Sequence, residues 1–400
     1  MCYNKSCEFS QDLFLRRFIA VSVKNINKLF NDKTIIYMLF GSIFLPFFLT
    51  ATIMLIAFLY IVLNKKIVGC FEKGGAIWAI IFFIYCTIVS ILNLNLIGVA
   101  GAIAFLAMIV IAKFIRKYIT IAVLEKGFDI LSFMAILTAA ICLIDFIYNE
   151  FILHHKGVYR CTLYFFNSNY LATLFATVII ICGYKVINHK RKPFYYYLVA
   201  LICALGAYLT GSMFVWVEVF IGCSAMLLLT RKHQLLSSLF LLAGTFIIVL
   251  YCIPDILPRI NQSNITTDNR IIIWKTTLSA IKDATPFFGK GFLTYFHIKD
   301  NYPGSYETGH SHSIFLEPIL SFGIIGTIFV IIYFVYFYKR VIVCRNAQHK
   351  YYVSSLIMAM TFAILVHSTT DLTFMWIQTG LLYCLIFASI GIEEKFLKIE

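Results

Sequence analysis

Charge is what this sequence has least of. Only 13% of its 400 residues are Asp, Glu, Lys or Arg, and acids are the scarcer kind, 19 against 33 bases. A soluble domain is about one-quarter charged, so a soluble globular fold is excluded. Paired cysteines are also missing. The 12 Cys are scattered, with no Cys-x-x-Cys among them, and they read as small buried hydrophobes. No segment resembles a nucleic-acid-binding module, and there is no internal repeat or low-complexity stretch. The start, MCYNKSCEFSQDLFLRRF, has neither an apolar core nor a small-residue cleavage site, so no cleavable signal peptide is expected.

What fills the space is apolar, 61% of the chain. Apolar spans fall near 34–63, 76–92, 96–112, 128–148, 170–187, 194–209, 212–229, 235–253, 314–337, 351–369 and 373–391. Runs of about 17–25 such residues cross a bilayer as helices. The expected fold is all-α, a polytopic transmembrane bundle forming a single domain over 1–400. The span 34–63 contains Pro46 and is long enough to cross once or twice.

Charge chooses between the two. Lys and Arg collect in cytoplasmic loops. With a double crossing, one side holds 25 of the 33 bases and the other 8, and the only one inside a span is Lys185, at the cytoplasmic end of 170–187. The expected count is therefore about twelve helices, or eleven if 34–63 crosses once. Residues 1–33 and 392–400 become cytoplasmic termini. The net charge of +14 then belongs to those loops and to anionic lipid. One external loop, 252–313, is long, and loops of that length carry function or structure of their own. Within it Ile272, Trp274, Leu278 and Ile281 recur at helical spacing before Pro286 and Gly289. That pattern predicts a short amphipathic helix.

Reactive residues gather at the external end: Arg160, Asn167, Asn169, Thr210, Ser212, Glu218, Arg270, His310, His312, Glu317 and Asp371. Each has a plain reading. Interfacial histidines are common, asparagines cap helices, and a loop arginine solvates. Glu218 is more informative, because an ionisable group inside a span faces the bundle interior or a water-filled cavity. A His-x-His pair offers two ligands where zinc takes three or four, so neither a metal nor any other cofactor is expected. Arg suits phosphate oxygens, and His can take a proton near neutral pH. Together they suit transfer of a group from a lipid-linked phosphate to a hydroxyl.

Three segments carry a resemblance. YRCTLYFFNSNYLA is similar to an Arg…Asn-x-Asn-x-x-Ala segment of the bacterial O-antigen ligase and polymerase superfamily. DNRIIIWKTTLSAIKDATPFFGKGF resembles its Arg-x-x-x-Trp…Pro-x-x-Gly-x-Gly loop. HSHSIFLEPILSFGIIG resembles its His-Asn…Gly-x-x-Gly signature, with Ser313 where Asn is usual. One departure is TGSM, in which Met213 stands where the family often has Arg. Arg160 is then expected to carry more of the phosphate contact.

The resemblance implies metal-independent, inverting transfer from a polyprenyl-diphosphate-linked glycan to a sugar hydroxyl. In that assignment His312 is the base. Arg270 and Arg160 hold the diphosphate, with His310, Asn167, Asn169, Glu218 and Asp371 around the substrate. It further implies a bacterial cytoplasmic (inner) membrane location and an external, periplasmic site. The partners expected are the lipid-linked oligosaccharide and membrane lipid, with a flippase or chain-length regulator as further candidates and no nucleic acid. Polymerising repeat units of a surface polysaccharide is the leading activity. Ligation of finished glycan to lipid A-core or another acceptor is the alternative. A flippase would carry charge at the membrane midplane, and no Lys or Arg lies near the middle of a span here. A membrane sensor or scaffold would need no convergent Arg and His.

Overall fold

The computed structural model describes residues 30–71, 76–154, 159–188, 193–253, 269–283, 286–347 and 352–398. Lys156, Arg259 and Asn264, the start of the chain and the middle of the 252–313 loop lie outside these residues. Among those described there is no β-strand.

The first predicted span is two helices, α1 (Asp32–Ser42) and α2 (Phe47–Leu63), parted at Pro46. Proline has no N–H to continue the ladder, and the Ser42 carbonyl instead accepts from Thr50 Oγ1 at 2.7 Å. The chain then doubles back. Tyr60 Oη, near the end of α2, donates to Asp32 Oδ1, at the start of α1, at 2.8 Å. A single crossing would hold those residues apart, so 34–63 forms the helical hairpin expected for two passes. The 11 residues of α1 rise only about 16 Å, less than a full hydrocarbon core.

Next come α3 (Ala76–Leu92), α4 (Leu96–Tyr118), α5 (Ile121–Ile147), α6 (Ser168–Asn188), α7 (Pro193–Leu209), α8 (Phe214–Leu229) and α9 (His233–Cys252). Asn95 and Thr120 cap α4 and α5 by accepting from Gly98 N and Val123 N. Their side chains take up donors that would otherwise be orphaned. Among the described residues, five helices are long and apolar enough to cross a membrane, and five shorter apolar helices accompany them. Helix α6 is the central post: most of its residues are buried, against α7 and α8 on two sides. Helix α9 is the opposite case. None of its residues is buried, and Leu241, Ile247 and Tyr251 are 74%, 65% and 87% exposed. Among the described residues, only one face meets a neighbour, where Phe240 and Phe246 contact Phe220 and Trp216 of α8, and an apolar helix so little covered belongs in lipid.

In the long loop, α10 (Asn269–Asp283) forms where the amphipathic pattern predicts a helix, but on a different face. Ile273, Thr276, Thr277 and Ala280 are buried, while Ile272 and Leu278 are exposed. The reason is tertiary. Ile273 and Ala280 join Tyr295, Ile298 and Leu320 in a small separate core, with Trp274 and Ile281 at its edge.

Helix α11 (Leu316–Asn346) is broken at Gly323, whose φ is 66° and ψ −176°. Only glycine adopts that backbone freely. The break is filled by the Pro286–Gly291 stretch. Ile324 N and Ile325 N donate to Pro286 O and Phe287 O at 2.9 and 3.0 Å, and Gly291 N donates to Ser321 O at 2.7 Å. The Pro-x-x-Gly-x-Gly and Gly-x-x-Gly patterns are thus two halves of one backbone joint. Non-helical backbone at such a place needs this kind of protein partner.

The chain closes with α12 (Val353–His367), α13 (Ile377–Ala388) and α14 (Ile390–Leu397). The expected tail from 392 is therefore a packed helix over its described part. The Glu393 carboxylate accepts from Val353 N and Ser354 N at 2.8 and 3.1 Å, capping α12, and Glu394 pairs with Arg116 and Arg340.

Candidate active site

The site is organised by the turn after α12. Ser368 N and Asp371 N donate back to Ile364 O and His367 O at 2.8 and 3.1 Å, so the chain curls tightly there. Its own carbonyls are then available to neighbours. Ile314 N donates to Ser368 O at 2.9 Å, and Arg270 Nε donates to Thr370 O at 2.9 Å. Asp371 itself is fully buried.

Against this turn lies the histidine loop. Glu317, one of the acids noted near the external end, is spent on holding it. Its Oε2 accepts from Ser311 N and its Oε1 from Ser321 Oγ, both at 2.7 Å. His312 has φ 52°, a left-handed conformation that costs a non-glycine residue about 1–3 kcal/mol. The ring it aims has two distinct nitrogens. Nδ1 lies 3.0 Å from Asp371 Oδ1, and Nε2 lies 3.0 Å from Thr308 Oγ1. An imidazole with a buried carboxylate on one nitrogen and a hydroxyl at the other has the disposition of a general base and its orienting acid.

His310 sits beneath it, with ring centroids 4.3 Å apart. His310 Nδ1 accepts from His312 N at 3.2 Å. The neutral ring therefore carries its proton on Nε2, 3.3 Å from Tyr170 Oη and 3.9 Å from Asp371. Burial above all, and the neighbouring His312, lower the His310 imidazole to about 4 against the opposing pull of Asp371. His310 is thus neutral near pH 7. Burial works against the charge on Asp371, but the His312 imidazole beside it overrides that. With help from His310 and the Asn169 amide, it holds the carboxyl well below its ordinary range.

The polar residues of 160–169 join from the other side. Asn169 Nδ2 donates to Asp371 Oδ2 at 2.7 Å, and Arg160 Nη2 donates to Asn169 Oδ1 at 3.0 Å. Arg160 Nε donates to Thr210 O at 3.1 Å, and its Cγ lies 3.1 Å from where a β-carbon on Gly211 would stand. Arg160 therefore packs into the turn of TGSM, against Gly211 and two residues before Met213.

The fold brings His310, His312, Asp371, Asn169, Arg160 and Arg270 to one place. Two expected site residues stand apart. Asn167 caps its helix, accepting from Asn169 N at 2.9 Å. Glu218 is 0% exposed and its Oε2 is 2.7 Å from His367 Nδ1. It meets no solvent-facing surface, so direct substrate contact is replaced by a supporting position under the turn. Sequence reasoning missed Thr308 and Tyr170, since a lone hydroxyl carries no pattern. Beside the His-x-His pair it could offer only the nearby Glu307 as a third metal ligand, whereas the fold brings up Asp371 from another helix end.

Residues 198–331 match the family model described as O-antigen ligase. The matched stretch carries Arg270, His310 and His312. No curated protein matches the chain. The family match supports a glycosyl-transfer role in polysaccharide assembly, and the helix set supports a multi-pass membrane protein.

Proposed function

We propose that the chain transfers a glycan from a polyprenyl diphosphate to a sugar hydroxyl, and that this polymerises repeat units of a surface polysaccharide. The observation that supports it most is the His312 ring, set between a buried carboxylate and a hydroxyl, each 3.0 Å away. Thr308 Oγ1 holds the place an acceptor hydroxyl would take. His312 Nε2 removes the hydroxyl proton as the oxygen attacks C1 of the donor sugar. The bond from C1 to the phosphate oxygen breaks, the anomeric configuration inverts, and the polyprenyl diphosphate leaves with the electron pair. Asp371 steadies the imidazolium that forms. Arg160 and Arg270 meet the charge that develops on the diphosphate, where fixed guanidinium donors act most strongly.

Ligation of finished glycan to another acceptor is the second reading, favoured by the description of the matched family. It uses the same groups and differs only in the acceptor. The test is to supply purified protein with lipid-linked repeat units. Ladders of longer chains on the carrier support polymerisation. Chains moved only when a separate acceptor is added support ligation. No transfer under either condition overturns both.

A further inference from the structure

Asp371 Oδ1 is buried and accepts no in-line hydrogen bond, although two imidazoles face it. We propose that His310, His312 and Asp371 form a site for a zinc-class divalent cation, and that an ion seated there switches transfer off. The binding half stands on geometry alone, and the inhibition half rests on the proposed function.

One ligand atom from each of the three residues lies within 4.8 Å of the others. The Asp371 oxygen is 3.0 Å from His312 Nδ1 and 3.9 Å from His310 Nε2. Zinc binds such atoms at about 2.0–2.2 Å, which separates neighbouring tetrahedral ligands by roughly 3.4 Å. The two observed distances bracket that value. The other Asp371 oxygen is held by Asn169 at 2.7 Å, the outer support that ligating carboxylates usually have. Two histidines and one carboxylate are the donor set of open zinc sites, which keep a position for water. Nitrogen-rich donors favour zinc, cobalt or nickel over magnesium and calcium. His312 remains 15% exposed, so an ion has a way in.

Binding has a cost within the site. His310 must offer the Nε2 lone pair, so its proton moves to Nδ1 and the 3.2 Å bond from His312 N is given up. It also has a consequence. His312 bound through Nδ1 carries its proton on Nε2. That nitrogen then donates and can no longer take a proton from an acceptor hydroxyl. The same ion neutralises Asp371, which would otherwise steady the imidazolium.

The experiment uses the purified full chain in detergent. Cobalt(II) is titrated in and followed by its visible absorption bands. The expected result is one equivalent of bound cobalt, displaced by zinc but not by magnesium. The bands should be lost in both Asp371→Asn and His310→Ala, each of which is checked for folding by its melting curve. Unchanged cobalt spectra in folded Asp371→Asn, or no stoichiometric spectrum in the parent, overturns the site. In the transfer assay zinc should stop product formation and a chelator should restore it. Full transfer with zinc bound overturns the inhibition. Absence of transfer without any metal defeats the functional reading instead, and leaves the cobalt result standing.

Discussion

Glu218 Oε2 and His367 Nδ1 lie 2.7 Å apart in the middle of the bundle, 0% and 1% exposed, on the two helices that pack face to face as α8 and α12. His367 is the last residue of α12, and the turn carrying Thr370 and Asp371 hangs from its carbonyl. The pair therefore anchors the turn against which His312 and Arg270 are set.

Breaking this pair should be costly. Removing one partner of a buried ion pair typically costs about 3–5 kcal/mol, whereas replacing both by apolar groups is often neutral. Glu218→Leu should lower the melting temperature in detergent markedly. Glu218→Leu combined with His367→Phe should recover at least half of that loss. A single variant as stable as the parent would show that the pair anchors nothing.

The broken helix gives a second expectation. A β-carbon on Gly323 would stand 2.4 Å from the Phe287 carbonyl, at a φ of 66°. Gly323→Ala should cost at least about 1–3 kcal/mol from backbone strain alone, and more from displacing the 286–291 stretch. Melting in detergent measures it. Gly309→Ala is the control, because nothing lies within 4 Å of that position. Equal melting of the two variants would contradict the joint.

Much of this was legible in the sequence, for identifiable reasons. Composition alone is enough for a helical membrane bundle, because bilayer spans need long apolar runs and loops collect the charge. Pro46 and the base counts were enough to choose a hairpin over one long helix. The convergence of Arg160, Arg270, His312 and Asp371 was legible as a cluster at one end, since topology orders the loops. The pairings within it were not. Asp371 meets His312 and Asn169 through a turn whose curl depends on hydrogen bonds between distant elements. The buried face of α10 was misread because apolar residues lie all around that helix, and only its packing partners select one side. Glu218 was correctly seen as costly inside a span, but the sequence does not say that His367 meets one of its two oxygens.

The arginines test the transfer reading directly. Arg270 Nε is already committed to Thr370 O at 2.9 Å, which orients the guanidinium as a planar fork. A lysine has no second nitrogen with which to keep that anchor while reaching a diphosphate. Losing one hydrogen bond to a charged group costs about 1.5–3 kcal/mol, or roughly 10- to 100-fold in rate. Arg270→Lys should show that loss in kcat with purified lipid-linked donor, at unchanged melting temperature. Parent-like turnover in Arg270→Lys would reduce the residue to a solvating charge.

The two histidines offer the sharpest division, because the structure gives them opposite situations. His310 is 6% exposed and neutral, and its Nδ1 is tied to His312 N, so its chemistry is already used inside the protein. His312 is more open, and its Nε2 faces a hydroxyl at 3.0 Å rather than a packed wall. A general base typically contributes about 100- to 10,000-fold in rate. His312→Ala should therefore lower transfer by that range while the protein still inserts and melts normally. His310→Ala should keep part of the activity, because the His312–Asp371 contact survives, and should lose some stability by opening a cavity beside Tyr170. Asp371→Asn should fall between them, since it leaves the ring in place without the charge that steadies its protonated form. Product formation from lipid-linked repeat units, measured for all three beside their melting curves, separates chemistry from packing. Transfer by His312→Ala within tenfold of the parent, at equal folding, would remove His312 as the base and turn attention to the neighbouring carboxylate.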